Sequence, residues 1–117
     1  MGSPEARMHV ETLAPGAAVI AISGDVTSAC EQALMSAHEE ASDTGATLIV
    51  LDFTDMAYMN SGGIGMLVTL LVRSQRRRQR IAAVGLTSHY RQIFELTRLD
   101  EAIALFDDMS AVLESAR

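Results

Sequence analysis

Apolar and polar residues alternate through Met8-His9-Val10-Glu11-Thr12-Leu13, the pattern of a strand with one face in water. After a Pro15-Gly16 turn, Ala17-Ala18-Val19-Ile20-Ala21-Ile22 is apolar throughout, which predicts a more buried strand paired to the first as a hairpin. Ser23-Gly24-Asp25 closes it. The period then changes. Cys30, Ala33, Leu34, Ala37 and Ala41 fall on one helical stripe, with Glu31, His38, Glu39, Glu40 and Asp43 on the other side. Thr27 or Ser28 serves as the cap of this helix. Glu31 stands three residues after Ser28, the spacing of a capping box, and Gly45 ends the helix.

Residues 47–53, Thr-Leu-Ile-Val-Leu-Asp-Phe, lack alternation, as a strand with helices on both faces does. The next helix starts near Ser61 with Asn60 or Ser61 as its cap. Ile64, Leu67, Val68, Leu71 and Val72 form its core face. Met66 and Leu70 lie beside that face and fit either the core or an exposed patch that a partner covers. Arg73, Arg76, Arg77, Arg78 and Arg80 close the helix and lead out of it, complementing its C-terminal dipole or an acidic or phosphate-bearing partner. A short strand over residues 81–86 follows. Ser88 then caps a helix carrying Tyr90, Ile93, Phe94, Leu96 and Leu99. Residues 103–106 form a last strand, and Asp107-Asp108 lead a final helix over residues 109–116, with acid at its N-terminus. The order is β-β-α-β-α-β-α-β-α. It predicts an α/β fold of one domain, a central, mostly parallel sheet packed with four helices over residues 8–117.

Composition narrows the function classes. At 117 residues the chain is long enough for one buried core, and with 49% hydrophobic but only 4% aromatic residues that core is aliphatic. A net charge of −6 disfavours nucleic acid as a main partner. Cys30 is the single cysteine, placed on an apolar stripe, so it reads as core and no internal disulfide forms. No signal segment and no apolar run of membrane-spanning length is present, so the expected setting is cytoplasmic with no membrane contact. Met1-Gly2-Ser3 reads as an expression scar, and residues 1–7 as a disordered tail outside the fold.

The chemistry concentrates in Asn60-Ser61-Gly62-Gly63-Ile64-Gly65, between a buried strand and a helix. Such a turn presents backbone N–H groups and a hydroxyl at the sheet end where α/β proteins meet ligands and partners. It lacks the G-K-[ST] of a phosphate-binding P-loop and the third glycine of a dinucleotide fingerprint. The glycines serve positive φ or close helix–sheet packing. His9, His38 and His89 have no metal-ligand spacing, so no metal is expected. Enzymatic chemistry would need Ser61 activated by Asp55 or His89, a pairing that no motif around Ser61 supports.

The segment "LDFTDMAYMNSGGIGMLVTLL", followed by "IAAVGL", "IFELTRLD" and "IALFDD", resembles the STAS family, and within it the stand-alone anti-sigma factor antagonists of bacteria. The earlier "SGDVTSA" is similar to that family's Gly-Glu-Leu-Asp turn. The resemblance spans residues 8–117. It implies a binding protein rather than an enzyme, with no cofactor. Its partner would be an anti-sigma factor, often a serine kinase of the histidine-kinase-like ATPase fold, whose capture frees a sigma factor. It further implies a partner surface of Asp25, Thr27, Asn60, Ser61, Gly62, Gly63 and Met66, and a monomer or weak dimer. The family's turn is Asp-Ser-Ser/Thr-Gly-Leu-Gly, with phosphate on the second hydroxyl residue. Here Asn60 takes the Asp position, and Gly62 takes the usual acceptor position, which leaves Ser61 as the phosphorylation candidate. The alternative is a constitutive scaffold module that phosphorylation does not control.

Overall fold

A computed structural model of the chain describes residues 6–115. Six strands and four helices are formed among them: β1 Arg7–Ala14, β2 Ala17–Val26, α1 Glu31–Asp43, β3 Leu48–Asp52, β4 Met56–Met59, α2 Ser61–Arg76, β5 Arg80–Val84, α3 Ser88–Leu96, β6 Ile103–Phe106 and α4 Met109–Ser115. The expected mostly parallel α/β sheet is present. Its order is β1-β2-β3-β5-β6, with β1 antiparallel to β2 and the remaining neighbours parallel. Most of the expected tail, residues 1–5, lies outside the described residues. Arg7, assigned to that tail, is instead the first residue of β1 and pairs with Ser23.

Apolar side chains of β3 alternate between two cores. Ile49 and Leu51 face α1, α2 and α3, and pack with Leu34, Leu67, Leu70 and Phe94. Leu48 and Val50 face α4 and pack with Val19, Val84 and Val112. Both faces are therefore covered, which is why the strand carries no polar alternation. Ile49, Val50 and Leu51 are fully buried, each worth roughly 1.5–3 kcal/mol of hydrophobic stabilisation. Phe53 extends this core by meeting Phe94 edge to face, ring centroids 6.1 Å apart.

Several local expectations are corrected. Strand β4 has no counterpart in the expected order β-β-α-β-α-β-α-β-α, because Met-Ala-Tyr-Met has neither length nor clean alternation. Its residues pair only with β2, in parallel, with Asp25 opposite Tyr58 and Val26 opposite Met59. Strand β2 accordingly runs to Val26, past the expected stop at Ser23-Gly24-Asp25. The capping box at Ser28 and Glu31 does not form. Thr27 instead caps a 3-10 turn, Ser28–Cys30, by accepting from the Ala29 N–H (3.2 Å). Thr87, not Ser88, caps α3 through the Tyr90 N–H. Gly45 does end α1, at φ 85°. On α2, Val68 and Val72 are 47% and 43% exposed, and the sheet is met by Met66, Leu67, Leu70 and Leu71. That helix is apolar nearly all round, so periodicity cannot choose which arc packs inward.

His38 was placed on the outer side of α1 but is only 3% exposed. Gln79 Nε2 donates to Ser42 Oγ (2.9 Å) and to the Ala46 carbonyl (3.3 Å), which turns its Oε1 toward His38 Nε2 at 2.8 Å. Ser74 Oγ lies 3.1 Å from the same nitrogen. The Gln79 carbonyl oxygen can only accept, so in the neutral ring it assigns the proton to Nε2. Desolvation lowers the His38 pKa from its ordinary 6.5, aided by the Arg77 and Arg73 charges and opposed by the Gln79 bond and Glu39. The folded state thus binds this proton less readily than the unfolded state. Stability should rise with pH across the interval below 6.5, and be lost as pH falls through it. Urea midpoints measured on either side of that value check this, and a His38→Gln variant should lose that part of the slope.

Helix α2 ends in an unusual way. Arg78 N–H donates to Gln75 O (3.1 Å) and Gln79 N–H to Ser74 O (2.9 Å), the two bonds of a Schellman motif. Its left-handed position is held by Arg78 at φ 58°, where glycine is the usual residue. Arg78→Gly should stabilise the domain by up to about 1–2 kcal/mol, less the entropy that glycine adds to the unfolded chain. Thermal unfolding of the variant checks this, and a lower midpoint would contradict it.

Candidate functional site: two turns at one end of the sheet

Strand β2 is long enough to serve two neighbours on the same side. Ala17 to Ala21 pair with β3, and Gly24 to Val26 pair with β4. A tight turn at Thr54-Asp55 carries the chain between them, with Gly24 N–H donating to Asp55 O (3.2 Å) and Met56 N–H to Phe53 O (3.0 Å). Because β2 and β4 are parallel, the turns that follow them emerge at the same end of the sheet. They are bonded directly: Asn60 N–H donates to the Val26 carbonyl at 3.2 Å. The second turn follows β4 rather than the long buried strand β3.

Asn60 is the cap of α2. Its Oδ1 accepts from the Gly63 N–H at 3.1 Å, and its backbone carbonyl accepts from Ile64 N–H at 3.1 Å. Ser61 is the first residue of the helix, is exposed, and is free of the capping duty. Among the described residues, Ser61 makes no side-chain hydrogen bond to Asp55 or His89, the two partners that the sequence offered it. His89 instead sits edge-on to Tyr90, ring centroids 5.0 Å apart.

Close packing explains two of the glycines, and neither has positive φ. A Cβ on Gly63 would stand 2.6 Å from the Val26 carbonyl oxygen and 2.9 Å from Met59 Cγ. A Cβ on Gly62 would stand 3.1 Å from Ser28 N and 3.2 Å from Ser28 Cβ. Gly62 is therefore the point where the second turn rests on the first. A serine there would need Ser28 to move by a few tenths of an ångström. Gly65 meets nothing within 4 Å.

Of the expected surface residues, Asp25 is half-buried within β2, Thr27 caps the first turn, and Asn60, Ser61, Gly62 and Gly63 build the second. Met66 is a correction to the exposed-patch reading. It is 4% exposed and receives a long contact from Cys30 Sγ at 3.7 Å. Cys30 is buried as expected and also donates to the Thr27 carbonyl at 3.0 Å.

Two grooves border the second turn, and Ser61 lines the larger of them. One, of about 220 Å³, runs along α1 and α2 past Ser28, Gly62, Gly65 and Thr69. The other, of about 290 Å³, separates α2 from α3 and is lined mainly by Met59, Ile64, Tyr90, Ile93 and Thr97. Tyr90 holds its floor by accepting the Met59 N–H at 3.0 Å. Sequence reasoning missed the α3 side of this groove. Its trace was the spacing of Tyr90 and Ile93, three apart, a second stripe beside the one that buries Phe94.

The chain matches the family model described as Mlab, STAS domain, over residues 9–112. No curated protein sequence matches it with significance. Among solved structures it is similar to an anti-sigma factor antagonist from Mycobacterium paratuberculosis, at 19% identity and TM-score 0.76, covering 95% of this chain and 93% of that one. It is also similar to the anti-sigma factor antagonist SpoIIAA in its unphosphorylated form, at 15% identity and TM-score 0.70, covering 93% and 96%. The phosphorylated form of the Bacillus cell fate determinant SpoIIAA aligns at 16% identity and TM-score 0.71, covering 94% and 99%. With a six-stranded, mostly parallel sheet, four helices and a family match running nearly end to end, the chain belongs to the STAS family.

Proposed function

We propose that this STAS domain is an anti-sigma factor antagonist: it binds an anti-sigma factor with a kinase-like ATPase fold, and so frees a sigma factor and regulates transcription indirectly. The observation that carries the reading is the union of the two turns, Asn60 N–H to Val26 O, around an exposed Ser61 beside an apolar groove. A polar rim next to an aliphatic cleft is the surface that a protein partner covers well. Val68, exposed and four residues on from Ile64, adds an apolar side chain to the same helix.

Ser61 is the regulated hydroxyl in this reading. Phosphate there would add about −1.5 to −2 charges, tolerated by the helix N-terminus within the domain. A partner would have to desolvate that dianion, which costs far more than the domain gains. A second reading, a constitutive binding module, draws on Gly62, whose packing on Ser28 leaves no room for the family's usual acceptor without a shift.

Calorimetry with purified anti-sigma factors of the source organism tests both. Ser61→Asp should weaken binding by at least about tenfold, or 1.4 kcal/mol, while Ser61→Ala stays near wild type. Equal binding by both variants, with no phosphate transferred to Ser61 by the partner and ATP, would leave the constitutive module. Absence of binding by the unmodified chain would remove the antagonist reading.

A further inference from the structure

We propose that the opposite end of the domain is a second docking surface, built on Arg73, Arg76, Arg78 and Arg80, that takes an acidic segment of a protein partner. Helix α2 joins the two ends. It starts at the Asn60 turn and, over 16 residues, carries the chain about 24 Å away.

All nine basic residues of the chain are arginines, and five fall between Arg73 and Arg80, against fifteen carboxylates elsewhere. All five are exposed. Their single ion pair among the described residues is a long one, Arg77 to Glu39 at 4.0 Å. Arg73 and Arg76, three apart on one helix, and Arg73 and Arg77, four apart, repel each other. The helix dipole offsets a charge or two in the last turn, not a cluster of this size. The left-handed Arg78 is a second local cost in the same place, since glycine would hold that position without strain. The left-handed backbone is not peculiar to this place, since Arg98 also holds it at φ 62°. What sets this surface apart is the cluster of arginines, and an exposed cluster of one sign on an acidic chain points to a use for it.

The shape selects the occupant. These guanidinium groups are exposed. Arg80 touches the rim of a cleft that also presents Asp100 and Glu101, so a small anion finds repulsion there. Glu39 borders the stripe on its other side. A broad polyanion, such as a lipid leaflet or a duplex, would meet those flanking carboxylates as well as the arginines. The stretch from Arg73 to Arg80 holds no aromatic ring on which bases could stack. A narrow run of Asp or Glu on a protein meets the arginines alone, and guanidinium forks pair with carboxylates in bidentate fashion.

Fluorescence anisotropy with a labelled oligoglutamate peptide tests this on the full chain, beside vesicles of phosphatidylcholine with phosphatidylglycerol and a single-stranded oligonucleotide. The peptide should bind with an affinity that falls as salt rises, more tightly than either competitor. The combined substitution Arg73→Gln, Arg76→Gln, Arg78→Gln and Arg80→Gln should weaken it by on the order of tenfold or more, with the circular dichroism spectrum retained. Should that variant not fold, Arg78→Gly alone serves, with a smaller loss of binding in a folded protein. Ser61→Asp should leave peptide binding unchanged, which keeps this surface separate from the proposed antagonist site. Unaltered peptide affinity in the arginine variants, tighter binding of vesicles or oligonucleotide, or loss of peptide binding in Ser61→Asp would each overturn the proposal.

Discussion

Gly63→Ala is expected to lower the stability of the domain by about 1–3 kcal/mol, while Gly65→Ala, two residues along the same helix, raises it by up to about 1 kcal/mol. Both replace glycine by the best helix former, so intrinsic propensity favours both. Surroundings decide the sign. At Gly63 the new methyl group would meet the Val26 carbonyl oxygen at 2.6 Å, and backbone atoms in a paired strand cannot swing aside as a flexible side chain can. The only relief is to lift the start of α2 off β2. That movement strains the Asn60 Oδ1 bond to Gly63 N–H and the Asn60 N–H bond to Val26 O, which hold the two turns together. The Gly63 variant should therefore lose partner affinity along with stability. At Gly65 nothing lies within 4 Å, and the residue faces solvent. Urea unfolding of the two variants beside wild type measures the contrast. Equal stability in both would mean that the helix does not sit this close to the strand.

What could be read without coordinates follows from where the physics is local. An unbroken apolar run declares a strand buried on both faces, and residues 48–52 form one. The acid before the last helix was expected to suit its dipole, and Asp108 Oδ1 also accepts from Ala111 N–H at 2.9 Å. The glycine-rich turn declared positive φ or a close approach, and Gly62 and Gly63 provide the second. The misses share a different cause. His38 looked like a surface residue because its partners, Ser74 and Gln79, lie 36 and 41 positions away. No window along the chain contains them. Strand β4 owes its existence to pairing with the upper half of β2, again a long-range contact. The outward arc of α2 was misassigned because valine and leucine satisfy a helical stripe equally on either side. Only the position of the sheet distinguishes Leu67 from Val68. The candidate site divides in the same way. Its turns were visible as sequence motifs, while the groove beside Ser61 required α3 to be set against α2.

Met66 is where this distinction changes an experiment. Met66→Arg would serve as a probe of partner binding if the residue were exposed, but it is 4% exposed and packed against Cys30. Arginine keeps its charge at every accessible pH, so it cannot escape by neutralising. An uncompensated charge in that position costs about 3–5 kcal/mol, a large share of the roughly 5–15 kcal/mol that holds a domain together. The expected result is a markedly lower urea midpoint and weakened binding that follows from lost structure. Met66→Leu, which keeps volume and polarity, should cost less than about 1.5 kcal/mol and leave partner affinity intact. Ile64→Asp is the surface probe that replaces it. Ile64 is half-buried on the groove side of the same helix, so a carboxylate there can reach water while removing apolar contact from the cleft. Ile64→Asp should weaken the partner with a modest change in midpoint, and Met66→Arg should do the reverse in proportion. A folded Met66→Arg chain with wild-type stability and no partner binding would move Met66 back onto the surface.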